Sequence, residues 1–232
     1  MNTRNYQARV AGFLYLVMSV TSTFAFSTIP SWSTDGGGLQ GTAEKIAAAP
    51  FHYRMGVICD LASQVFFVAL VLALYELLKG INRRLALLMV ALVLVQVPMA
   101  FANLLLGAAP LALQSGADYL SAFSKDQLAA FSAAVLQVRA YGIKLIMVYW
   151  GLWLLPFGLL IFRSGFIPRI FGVLLVIGCF GHIAVGLTSL LFPNYERAIT
   201  PLTALALGEI LIALWLLLRG APHAPREQGA AA

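Results

Sequence analysis

The chain has 232 residues, 61% hydrophobic and only 10% charged, with a mean hydropathy of +0.88. Soluble domains carry about 25% charged residues, so this composition excludes a soluble globular class and specifies an integral membrane protein. The net charge of +6 does not signal nucleic acid, because the basic residues flank apolar runs, where they set topology.

A hydrocarbon core of ~30 Å is crossed by ~20 apolar residues rising 1.5 Å each. After a short polar start with Arg4 and Arg9, the first such run covers residues 10–29 and stops at Pro30. A basic start before an apolar run also describes a signal peptide. This run is longer than the about 7–15 residues of that class, and Thr23-Phe-Ala25 is a poor cleavage site, so it is read as a retained span. Residues 30–52 form a loop in which Thr42 caps a short helix ended by Pro50.

The second span, 53–78, contains Asp60 and Gln64, and a basic turn with Lys79, Arg83 and Arg84 follows. The third, 85–106, contains Gln96, Pro98 and Asn103, and leads into a loop over 107–124. Ser124 then caps a helix over 125–138, where Leu128, Phe131 and Val135 share a face. That pattern predicts an amphipathic helix lying on the membrane surface. The fourth span, 140–162, carries Lys144 and ends in the turn Arg163-Ser-Gly-Phe-Ile-Pro-Arg169. The fifth, 168–192, carries His182, and the sixth, 201–218, carries Glu209. The expected fold is all-α: one membrane helix bundle of six transmembrane helices over residues 1–220, plus the surface helix, with a disordered tail over 221–232.

Nine Lys and Arg residues lie on the side of the termini, among them Arg4, Arg83, Arg163 and Arg219. Five lie on the other side: Lys45, Arg54, Lys125, Arg139 and Arg197. This asymmetry predicts cytoplasmic termini. Cys59 and Cys179 sit in apolar runs without a CxxC or Cys/His spacing, which signals neither a disulfide nor a zinc site. No pattern calls for a cofactor.

Ionisable groups inside spans are costly and mark function by default. Counting rise alone, Lys144 lies ~8 Å, Asp60 ~10 Å and Glu209 ~12 Å below the outer surface, with His182 and Gln96 near ~15 Å. Asn103 shares a face with Gln96, and Gln64 with Asp60. All lie in the outer half or at the midplane, whereas the inner halves are almost purely apolar. The candidate ligand-binding residues are therefore Asp60, Gln64, Gln96, Asn103, Arg139, Lys144, His182 and Glu209. They suggest a polar cavity, open to the exterior, above an apolar floor. Pairing is the economical solution for buried charge. Lys144 is expected to pair with Asp60 or Glu209, and His182 to hydrogen-bond the remaining carboxylate.

The stretch Tyr149-Trp-Gly-Leu-Trp-Leu-Leu-Pro-Phe-Gly158 through Phe162-Arg-Ser-Gly-Phe-Ile-Pro-Arg-Ile-Phe-Gly172 resembles the bacterial family catalogued as domain of unknown function 4386. So do the opening Ala8-Arg-Val-Ala-Gly-Phe-Leu-Tyr15, Phe51-His-Tyr-Arg-Met-Gly-Val-Ile-Cys-Asp60 and Tyr119-Leu-Ser-Ala-Phe-Ser-Lys-Asp-Gln-Leu128. The resemblance covers nearly the whole chain. It implies a six-helix protein of the bacterial inner membrane and no particular reaction. Family members often carry histidine where Arg139 stands.

Three functions fit these residues. The first is a protein that binds or moves a small molecule or lipid from the outer side, with the bilayer as its constant partner. The second is an accessory or assembly subunit whose polar groups are structural. The third is an intramembrane enzyme, disfavoured because neither Gly-x-Ser-x-Gly nor His-Glu-x-x-His occurs.

Overall fold

The computed structural model describes residues 3–29, 46 and 48–221. Among these residues there is no strand, and six helical segments are long and apolar enough to cross a membrane. They are α1 (Thr3–Thr28), α2 (Pro50–Leu78), α3 (Arg83–Leu113), α4 (Lys125–Ser164), α5 (Arg169–Leu191) and a composite sixth span, Pro193–Leu218. The predicted short helix capped by Thr42 and the tail beyond Ala221 lie outside the described residues.

The local signals explain most boundaries. Pro50 stands in the first turn of α2, where its missing N–H costs nothing. Asn82 caps α3 by accepting from the Leu85 N–H at 3.0 Å. Ser124 opens α4 with a capping box: its hydroxyl accepts from the Gln127 N–H, and the Gln127 side chain accepts from the Ser124 N–H at 2.8 Å. Gly165, at φ 70°, closes α4 in the left-handed conformation and starts the turn into α5.

Three expectations are corrected. First, α3 does not end at Leu106 but runs through Gly107 and Pro110 to Leu113. Second, there is no separate surface helix over 125–138. That segment is the first part of a continuous helix of 40 residues, ~60 Å long, twice the hydrocarbon thickness. No breaker separates the two parts, and one buried stripe, Ser132, Leu136, Arg139, Ile143 and Met147, continues through the junction in helical phase. Within this segment Ser132 packs inside the bundle, at 1% exposed, while Phe131 stays on its outside, at 49%. Leu136 belongs to a small core with Ile29, Ile46 and Tyr53, which anchors the extension. Third, the sixth span is not one α-helix from Pro201. It comprises a 3-10 turn at Pro193–Tyr195, a short helix α6 (Glu196–Ile199), a 3-10 stretch at Thr200–Ala206, and α7 (Leu207–Leu218).

Each long helix packs against the next in sequence, and α7 returns to α1, so the six segments close a ring. At the termini end the ring is filled. Trp153 stacks on Phe157 with centroids 5.3 Å apart, meets Phe67 edge-on at 5.1 Å, and lies 6.1 Å from Tyr15. Leu70, Leu74, Met89 and Leu160 complete this core. The ring closes through small residues. A side-chain carbon at Gly12 on α1 would strike the α7 backbone. One at Gly172 on α5 would lie 2.7 Å from the Gly158 carbonyl oxygen on α4. Asn5 accepts from the Ala221 N–H at 3.1 Å, joining both ends of the described chain.

These close approaches predict that Gly172→Leu lowers stability by about 1–3 kcal/mol, the usual overpacking cost. Gly80→Leu, at a position with open space around it, is the control and stays neutral. Thermal unfolding of both variants in detergent checks this, and equal melting temperatures would refute the close α4–α5 packing.

Candidate functional site

At the other end of the ring the interior is open. A cavity of about 380 Å³ lies between the helices, within the range usual for ligand sites. Six of the eight candidate residues line it: Asp60 and Gln64 on α2, Asn103 on α3, Arg139 on α4, His182 on α5 and Glu209 on α7. Ser19, Ser22 and Thr23 on α1 contribute hydroxyls, and Phe26, Phe67, Trp150 and Trp153 contribute aromatic wall.

One polar centre is the Asp60–Arg139 ion pair. Arg139 Nη2 donates to Asp60 Oδ2 at 2.6 Å, with the arginine 2% and the aspartate 15% exposed. A charge-assisted bond at this distance is among the stronger ones, as burying a guanidinium requires. The space for it comes from Gly107, where a side-chain carbon would stand 2.7 Å from Arg139 Nε. Tyr53 holds this part of α3 by donating to the Gly107 carbonyl at 2.7 Å. Gly142 makes room for the Asn103 amide in the same way. Among the described residues, Arg139 Nε and Nη1 and Asn103 Oδ1 have no hydrogen-bond partner.

The second polar centre is Glu209. Tyr15 donates to its Oε2 at 2.5 Å, and His182 Nε2 shares a hydrogen bond with its Oε1 at 3.2 Å. Helices α1, α5 and α7 thus converge on one carboxylate. Glu209 stands in the first turn of α7, where the helix dipole favours negative charge. His182 Nδ1 has no partner among the described residues. The indole of Trp150 lies edge-on to His182 at 6.3 Å, and Phe26 lies edge-on to Trp150 at 5.8 Å.

The remaining two candidates do not line the cavity. Gln96 lies behind it and donates to Gln64 Oε1 at 3.4 Å, while Gln64 Nε2 donates to Ser63. Lys144 does not reach Asp60 or Glu209. It donates to Glu196 Oε2 at 2.8 Å, at the head of the sixth span, and lies 5.2 Å from the Tyr141 ring. Depth counting places residues along the helix axis but says nothing about azimuth, so it could not choose among the three carboxylates. Glu196, counted as loop, is the partner that was missed. Tyr15 was missed as well, although it follows Ala8, Ala11 and Gly12 on the buried face of the first span. Among the described residues, no three His, Cys, Asp or Glu side chains converge to hold a metal.

The family model for a domain of unknown function, DUF4386, matches residues 10–220, nearly the whole ring including both polar centres. The chain belongs to the DUF4386 family. No match was found among curated proteins or among solved structures. DUF4386 is therefore represented here by a six-span ring whose polar residues surround a cavity.

The Asp60–Arg139 pair makes a signed prediction. Removing one partner strands a buried charge, at a cost of about 3–5 kcal/mol, whereas removing both costs less. Arg139→Met and Asp60→Leu should each lower thermal stability more than the double variant does. A double-mutant cycle on the purified protein measures this, and strict additivity would exclude the pair as an energetic unit. The same cycle on Lys144→Met and Glu196→Gln should show weaker coupling, because Glu196 is more exposed, at 21%.

Proposed function

We propose that this DUF4386 protein resides in a bacterial inner membrane, with cytoplasmic termini, and binds or moves a small molecule or lipid through the outward-facing central cavity. The observation that carries this reading is the position of the ion pairs. Polar residues that only glue helices together pack closely against one another. Asp60, Arg139, His182 and Glu209 instead border about 380 Å³ of space. Donors and acceptors on Arg139, Asn103 and His182 that have no partner among the described residues add hydrogen-bonding capacity beside it.

The orientation rests on the basic residues. Arg139 is buried in the bundle, so the outer count falls from five to four against nine on the termini side. The bacterial membrane rests on the family resemblance. The accessory-subunit reading keeps one specific support: Lys144 and Glu196 form an ion pair away from the cavity, as structural groups do.

A thermal-shift screen of the purified protein against lipids and metabolites separates the two. At a ligand concentration of 100 Kd, stabilisation should reach about 2.7 kcal/mol. Ala100→Phe, which fills the cavity from α3, should abolish the shift without unfolding the protein. A ligand that stabilises both forms equally would place binding elsewhere, and the absence of any hit would favour the accessory role. Reporter fusions at Gly80, Gly165 and Gly116 test the orientation. The first two should report the cytoplasm and the third the exterior, and the opposite pattern would invert the topology.

A further inference from the structure

Among the described residues, α1 and the Thr200–Ala206 stretch of the sixth span border the cavity without packing closely on each other. α1 packs along α7, with Gly12 seated against its backbone, but draws away from the Thr200–Ala206 stretch. Residues on both sides of this gap line the cavity, Ser22 and Phe26 from α1 and Thr203 and Ile210 from the sixth span. Phe26 and Ile210, though they line the cavity, remain exposed, at 37% and 45%. The gap is therefore a side opening rimmed by apolar groups with hydroxyls behind them. Seven consecutive 3-10 residues form one edge, longer than the usual three or four and typical of hinges.

The charge inside selects the ligand's head. Asp60 and Arg139 neutralise each other. Glu209 faces a hydroxyl and an imidazole, and no Lys or Arg makes an ion pair with it among the described residues. Trp150 stands beside the His182 ring that bonds it, and aromatic faces attract cations. Resting on the cavity reading above, we propose that the ligand is a membrane-dissolved cationic amphiphile, a protonated alkyl amine, which enters sideways between α1 and the sixth span and sets its ammonium group against Glu209. At about 380 Å³ the cavity has room for roughly thirteen waters' volume. It takes the head and first methylenes, and the rest of the chain stays in the opening.

The test uses the full chain in nanodiscs and three photoreactive probes carrying a diazirine on a twelve-carbon chain: dodecylamine, dodecanol and dodecanoate. The amine should label Ser22–Phe26 and Thr203–Ile210 saturably, and excess dodecylamine should compete while butylamine does not. Glu209→Gln should reduce this labelling at least tenfold. Ser22→Trp, which blocks the opening and keeps the carboxylate, should do the same, so that a folding defect in one variant leaves the other informative. Equal labelling of the cavity by all three probes, unchanged in Glu209→Gln, would overturn the amine while leaving the cavity as a binding site. Amine labelling that is unaffected by Ser22→Trp would overturn side entry. Labelling confined to lipid-facing positions such as Leu105 would overturn this inference, and only a failed ligand screen would remove the cavity reading with it.

Discussion

A guanidinium sealed inside a membrane-crossing bundle imposes a condition on everything around it. In a low-dielectric interior an unpaired charge is disfavoured by several kcal/mol, so Arg139 requires a carboxylate at bonding distance. Asp60 supplies it from α2, whose backbone runs well apart from that of α4 and which otherwise meets it through side chains such as Phe67 on Trp153. The bond therefore spans the ring across its interior. With the small core of Ile29, Ile46, Tyr53 and Leu136, it holds the far halves of α2 and α4 in register. Gly107 and Gly142 leave room for Arg139 and Asn103. A side chain at either position would push α3 away from α4 and open the pair.

The two ends of the ring use different physics. At the termini end, Trp153, Phe157, Phe67 and Tyr15 fill the interior, and dispersion contacts among large rings hold the helices. At the other end the same helices are joined by polar bonds with space between them. Tyr15 belongs to both: its ring packs on Trp153 and its hydroxyl reaches Glu209. Phe67 and Trp153 likewise belong to the core and to the cavity wall, so plug and cavity share their boundary side chains. A change in the packing of Trp153 would be felt at the Glu209 carboxylate.

The sixth span departs from the regular helix where it borders the cavity. Pro201 brings no N–H to the ladder, and the Thr200 and Thr203 hydroxyls donate back to the carbonyls of Glu196 and Thr200. Irregular backbone at membrane depth is tolerated where it is buried in protein or lines a polar cavity. Regular α-helix resumes at Leu207, which places Glu209 in a first turn, where its charge suits the helix dipole.

The sequence by itself determined the membrane class, the number of spans, the tight turn at Gly165 and the concentration of polar residues in one half of the bundle. Those properties follow from hydropathy, chain length and local turn chemistry, which act over a few consecutive residues. It also expected His182 to bond one of the intramembrane carboxylates, without choosing between Asp60 and Glu209; the structure gives it Glu209. Only the tertiary structure decided that Asp60 belongs to Arg139 and Lys144 to Glu196, that Gly107 continues a helix, and that residues 125–138 extend the fourth span. Each of these depends on which face of a helix meets its neighbour. That azimuth is set by packing between segments up to 79 residues apart in the Asp60–Arg139 case, and no local pattern encodes it.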